Sequence, residues 1–150
     1  MYKRILVPTD GSDTSEAGLR EACKLAQAQG DAQIRVIHVV DELLTVLPEL
    51  YGTAYDAVTD AVRRSGASLL AHNEVVAREY GLKVETQLIE AMGGVAGELV
   101  IKAAKEWPAD LIVCGTHGRR GLRRIVMGSD AEYIVRHAPV PVLLIRKDGR

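Results

Sequence analysis

The sequence predicts one α/β domain built around a parallel sheet, and three observations carry that expectation. Short, β-branched apolar runs alternate with longer segments of helical spacing, the pattern of successive βαβ units. The chain has 150 residues, about the length of one domain. Its composition, 47% apolar and 26% charged, provides a core and is too apolar for a disordered chain.

Five runs read as strands: Arg4 to Val7, Gln33 to Val40, Lys83 to Ile89, Asp110 to Cys114 and Val140 to Ile145. The fourth and fifth are almost wholly apolar, as strands covered on both faces require. Between the first two, Leu19, Ala22, Cys23 and Ala26 fall at i, i+3, i+4 and i+7. The capping box Asp13-x-x-Glu16 opens this first helix and Gly30 stops it. From Asp41 to Gly52 neither period holds, and Leu43, Leu44, Val46, Leu47 and Leu50 around Pro48 suit a partly apolar loop or short helix, a lid or a contact surface. A second helix extends from about Ala54 to Tyr80, with Ala54, Ala57, Val58, Ala61 and Val62 on its apolar face and a kink or break at Ser65-Gly66. The third has the cleanest period, with Ala96, Leu99, Val100, Ala103, Ala104 and Trp107 on one face and Pro108 at its end. The fourth begins at a capping box, Ser129-x-x-Glu132, turns Ala131, Ile134, Val135 and Ala138 inward, and stops at Pro139. Linkers, repeats and low-complexity tracts are absent from the sequence, and Lys147 to Arg150 form a polar tail.

Nineteen basic and 20 acidic residues leave a net charge of −1, so overall charge does not drive the chain onto nucleic acid or an acidic membrane. Any basic site is local. Cys23 and Cys114 lie far apart and away from other metal ligands, so neither a disulfide framework nor a zinc module is suggested and a reducing compartment fits best. Only Ile5-Leu6-Val7 precede Pro8, too short for a signal peptide, and apolar runs nowhere approach the ~18 residues of a membrane span. The expectation is a soluble, cytoplasmic protein.

In an open α/β sheet, ligands bind outside the carboxyl ends of the strands, where the winding reverses and two strand-to-helix loops part. Two such loops are unusual here: Pro8-Thr9-Asp10-Gly11-Ser12, and the long connection from Gly115 to Ser129. The second places glycines at 115, 118 and 121, then Gly128 directly before a helix. Glycines let backbone N–H groups approach an anion, and a helix N-terminus offers unpaired N–H groups with a partial positive charge. Arg119, Arg120, Arg123 and Arg124 gather positive charge in the same loop. Taken singly, Ser129 also reads as an N-cap, Asp130 as a first-turn acid and the arginines as a solvated face. The loop is neither a GxxxxGK[ST] P-loop nor a GxGxxG dinucleotide turn.

The pattern Gly115-x2-Gly118-x9-Gly128-Ser129 resembles the ATP-binding motif of the universal stress protein family. Lys3 to Ser12 resembles that family's first strand and turn, and Ile37 to Asp41 and Ala131 to Leu144 are similar to it as well, so the resemblance spans the whole chain. It implies a Rossmann-like, adenine nucleotide alpha hydrolase-like fold: a five-stranded parallel sheet ordered 3-2-1-4-5 with helices on both faces. Position by position, it implies Asp10 on ribose or phosphates, Pro8 and Thr9 lining the base pocket, and Val39 meeting adenine through its backbone. Gly115, His117, Gly118 and Arg119 then surround ribose and phosphates, while Gly128, Ser129 and Asp130 hold the phosphate tail by backbone N–H groups and the Ser129 hydroxyl. A magnesium ion between phosphates accompanies that reading. In nucleotide-binding members the residue after the serine is usually small and apolar, whereas here it is Asp130. At ~4 Å and an effective dielectric of about 20, a like-charge pair costs about 4 kcal/mol before screening. Three outcomes follow: the side chain turns away, a cation mediates, or the ligand carries fewer phosphates, as ADP and AMP do.

Among other candidates, His38 within the second strand reads as a packing residue, His117 as a ligand contact, and His72 and His137 as surface or helix-end residues. Cys114 reads as a buried thiol beside the site. A nucleophile, base and orienting acid do not occur together, although Asp10, Ser12, His117 and Ser129 belong to converging loops. The expected function is a dimeric, adenine-nucleotide-binding sensor or regulator. The alternatives are slow ATP hydrolysis on the same fold, or an interaction module that binds no nucleotide. The apolar edge strand Val140 to Ile145 pairs across a two-fold axis in the family, which implies a homodimer.

Overall fold

The computed structural model describes residues 1–41, 55–91, 95–116 and 127–146. Along the chain they form β1 (Arg4–Thr9), α1 (Asp13–Gln29), β2 (Gln33–Asp41), α2 (Tyr55–Arg78), β3 (Glu85–Ala91), α3 (Ala96–Glu106), β4 (Leu111–Gly115), α4 (Ser129–His137) and β5 (Val142–Ile145). All four strand pairings are parallel, in the order β3-β2-β1-β4-β5. Period-two alternation divides the core. Ile5 and Val7 face Leu19, Cys23 and Ala26 of α1 and Leu70 and Ala77 of α2, while Leu6 faces Val100, Ala104 and Trp107 of α3 and Ile134 of α4. The expected α/β domain, with helices on both faces of the sheet, is what forms.

Strand order makes β1 and β4 neighbours with helices leaving on opposite faces, and their ladder is short. β1 follows β2 as far as Thr9↔His38, but its pairing with β4 ends at Leu6↔Ile112. Lys3 accepts from Gln33 and Arg4 from Asp110, so even-numbered residues of β1 turn toward β4. Pro8 is next in that series and has no N–H to donate. The residue that opens the first unusual loop is thus also what stops the ladder at the winding reversal.

Several expectations need correction. The N-cap of α1 is Ser12, whose hydroxyl accepts from Ser15 N–H, and Asp13 is already helical. α2 runs unbroken through Ser65-Gly66, because Gly66 serves close packing: a Cβ there would meet Leu88 Cδ1 at 2.6 Å and His38 Cδ2 at 3.1 Å. Its buried face is Thr59, Gly66, Leu70, Asn73, Val76 and Ala77, while Ala57 and Ala61 are exposed. Of the expected face of α3, Val100, Ala103 and Ala104 are buried while Ala96 and Leu99 are half-buried, and Gly97 and Ile101 are buried as well. Val135 of α4 is 43% exposed instead of inward-facing. α4 is capped by Gly128, with no side-chain hydrogen bond from the cap, and Ser129 is its first helical residue, not its N-cap. β5 begins at Val142 because Pro141 precedes the ladder. Apart from Asp41 itself, the Asp41 to Gly52 segment and Ala54 lie outside the described residues.

Candidate functional site

The carboxyl ends of β1 and β4 bring two turns to one end of the sheet. The turn after β1 is held by its own side chains. Asp10 Oδ1 accepts Ser12 N–H at 2.9 Å, an Asx-turn that suits Gly11 at φ 78°, and Ser12 Oγ accepts Ser15 N–H at 3.2 Å. Thr9 is buried, with its hydroxyl 3.2 Å from Ser15 Oγ. Its carbonyl takes the His38 ring, Nδ1 lying 2.7 Å away. Pro8, Thr9 and Asp10 therefore share one braced corner, and His38 is the packing residue the sequence suggests. Its particular role was beyond sequence reasoning, since the partner is a backbone carbonyl 29 positions away.

The connection after β4 is closed at its base. Thr116 donates its N–H to Ile145 O at 2.9 Å and accepts Gly128 N–H at 2.9 Å, so the last described residue before the loop meets the residue that starts α4. Gly115 makes this possible on the other side. A Cβ there would lie 2.9 Å from the Thr14 carbonyl carbon and 3.0 Å from its oxygen, so only glycine lets the first turn of α1 press against the end of β4. Gly128 is half-buried, and Ser129 and Asp130 are exposed. Val39 lies half-buried in β2, opposite Ile89 of β3. His117, Gly118, Arg119 and the other loop arginines lie outside the described residues.

The two helix N-termini differ. That of α1 is capped by the Ser12 hydroxyl, whereas the cap of α4 is Gly128, which has no side chain to accept a first-turn N–H group. Asp130 does not cap its own helix through Gly128's position. Its Oδ1 accepts the Gly97 N–H of α3 at 3.2 Å, so of the outcomes open from the sequence, the carboxylate is drawn sideways toward α3. Sequence reasoning missed Gly97, which is squeezed against Tyr133 and the Asp130 carbonyl.

Burial pushes the thiols of Cys23 and Cys114 up to about 11, with Arg20 partly opposing this at Cys23, so both stay protonated at neutral pH. The described residues contain no group of three His, Cys, Asp or Glu able to hold a metal ion, and no helix long and apolar enough to cross a membrane.

The universal stress protein family model matches residues 1–146. The chain belongs to that family. Universal stress protein MJ0531 of Methanocaldococcus jannaschii is 35% identical over 147 residues, covering 98% of this chain and 84% of that protein. The structure of universal stress protein UspA from Lactobacillus plantarum superposes with a TM-score of 0.83 at 29% identity, covering 97% of this chain and 98% of the other. A universal stress protein from Archaeoglobus fulgidus, solved in complex with dAMP, has the same fold at 24% identity and a TM-score of 0.65, over 96% and 98% of the two chains. Family and sheet order thus agree with the sequence resemblance.

Proposed function

We propose that this universal stress protein binds an adenine nucleotide at the β1–β4 switch point and acts as a sensor or regulator. One observation carries the reading: the α4 N-terminus lacks a side-chain cap and stands where the Gly115-to-Gly128 connection is pinned shut at Thr116. A helix end left in this way has first-turn N–H groups open to water or to an anion. Glycines at 115, 118 and 128 allow the close backbone approach that phosphates need. The base then lies against Pro8, Thr9 and the Val39 backbone, with Asp10, His117, Gly118 and Arg119 around ribose and phosphates and Ser129 and Asp130 at the tail. The dAMP complex of a distant relative is consistent with a fold able to hold such a ligand.

With no three-ligand cluster among the described residues, magnesium would be carried by the phosphates, whose charge it would offset. A sensing role is favoured over turnover because the described polar groups are occupied in bracing: Asp10 and Ser12 hold the turn, and His38 holds a carbonyl. The same reading includes a homodimer through the β5 edge.

The direct experiment denatures fresh protein, identifies any released small molecule by mass spectrometry, and titrates stripped protein with ATP, ADP and AMP by calorimetry. Gly128→Glu and Ser129→Asp should each weaken nucleotide binding at least tenfold while the circular dichroism spectrum is unchanged. Unaltered affinity in both variants removes the loop from the site. Absence of binding at millimolar nucleotide favours a non-nucleotide interaction module, and multiple-turnover release of ADP favours the enzyme.

A further inference from the structure

Within the sheet, the last residues of β1 are paired on one side. The ladder with β4 ends at Leu6↔Ile112 and that with β2 at Thr9↔His38, whereas β2 and β3 stay paired as far as Asp41↔Ala91. At the last β1–β2 pair a side chain adds to the backbone: His38 Nδ1 lies 2.7 Å from the Thr9 carbonyl oxygen. A carbonyl only accepts, so Nδ1 carries the proton and the neutral ring is the Nδ1–H tautomer. Even-numbered residues of β2 turn toward α2. Ile34 and Val36 pack in the core with Leu70 and Ala77, and His38 is next in that series. Gly66 of α2 leaves the ring its place, since a Cβ there would lie 3.1 Å from His38 Cδ2. The imidazole thus has a helix backbone against one edge and a strand-end carbonyl against the other. Thr9 is tied on its other side too, its hydroxyl lying 3.2 Å from Ser15 Oγ in α1.

We infer that His38 is a positioning residue for the base, an inference that rests on the proposed nucleotide site. It draws the Thr9 end of β1 against its own strand, where Val39 follows directly, and so sets the separation of the two backbone segments between which the base lies. Backbone pairs at the end of a ladder fray, because no further pair holds them. A pocket whose walls must be ordered by the ligand loses affinity to that ordering, and a preformed one does not. Asp10 comes straight after Thr9, so the same tie also fixes where the turn that Asp10 closes on Ser12 N–H begins.

The test has a spectroscopic arm and a binding arm. In two-bond proton–nitrogen NMR spectra of wild type above neutral pH, the His38 ring should show the Nδ1–H tautomer; an Nε2–H tautomer overturns the inference. Calorimetry with AMP then compares wild type with His38→Asn, His38→Gln and His38→Leu. Counted from Cβ, the asparagine amide nitrogen stands where Nδ1 does, glutamine carries its donor one bond farther out, and leucine has none. Affinity should fall about fivefold in His38→Leu and His38→Gln and stay within about twofold of wild type in His38→Asn, with circular dichroism unchanged throughout. Leucine packs best beside Leu88 and Val40, so a purely structural role would spare His38→Leu and penalise His38→Asn, and that order overturns the inference. If His38→Leu does not fold, the contrast between asparagine and glutamine decides in the same way. Equal AMP affinity in all the folded proteins removes His38 from the site while the nucleotide reading stands. A wild type that binds no AMP overturns that reading itself, and this inference with it.

Discussion

Gly66 and Gly97 both lie inside helices with less than 3 Å for a methyl group, yet their neighbours differ in freedom. At Gly66 the closest atom is Leu88 Cδ1, the far end of a flexible side chain, at 2.6 Å. At Gly97 the contacts are Tyr133 Cβ at 2.9 Å and the Asp130 carbonyl oxygen at 3.2 Å, neither of which moves without shifting α4. Replacing an internal helical glycine by alanine gains about 1 kcal/mol in helix propensity, and overpacking costs about 1–3 kcal/mol. Gly66→Ala should therefore stay within about 1 kcal/mol of wild type, because Leu88 rotates aside. Gly97→Ala should lose about 1–2 kcal/mol and disturb the Asp130 bond. Urea unfolding of the two variants decides this, and equal losses would contradict the distinction between movable and fixed neighbours.

Helix ends govern the next scale. Ser12→Ala should lose about 1 kcal/mol, because Ser15 N–H then has no acceptor at the start of α1. Gly128 has φ −62° and ψ 149°, extended backbone open to any residue, so Gly128→Ser can cap α4 and should add a few tenths of a kcal/mol. The same serine competes with phosphate for the N–H groups, so stability should rise while nucleotide affinity falls; a parallel rise in both would contradict an anion role for this helix end. The periods of α1 and α3 were legible because Leu19, Ala22, Cys23 and Ala26, or Val100, Ala103 and Ala104, press on a sheet covered by one helix layer. That of α2 was misread by a register step. Small alanines mark its outer face as readily as an inner one, while Thr59, Gly66 and Asn73 take the inner positions. Of the site, the two loops and the uncommon Asp130 could be read from local sequence. The Gly97 and His38 contacts could not, since each joins segments about thirty residues apart.

Across the whole molecule, the order β3-β2-β1-β4-β5 leaves two edges, and among the described residues charges guard one of them. β3 carries Glu85, paired with Arg35, and Glu90, paired with Arg63, and edge charges of this kind deter pairing with another chain. β5 has no charge in Val142–Ile145, and its side chains are all half-buried. Pro141 O and Ile145 O accept from Ile112 of β4 and from Thr116 just after it, so by alternation Leu143 also faces β4, while Val142 and Leu144 turn their N–H and C=O groups away from β4. A second copy is the simplest cover for those groups, and the family resemblance implies the same edge. Proline is tolerated on an edge strand when its missing N–H faces outward. Val142→Pro should thus remove one outward donor and leave the β4 ladder intact. By sedimentation velocity at tens of micromolar, wild type should run as a dimer and Val142→Pro predominantly as a monomer with unchanged circular dichroism. A monomeric wild type would mean that the half-burial of Val142 to Ile145 suffices without a partner, and a dimeric Val142→Pro would move the interface away from β5.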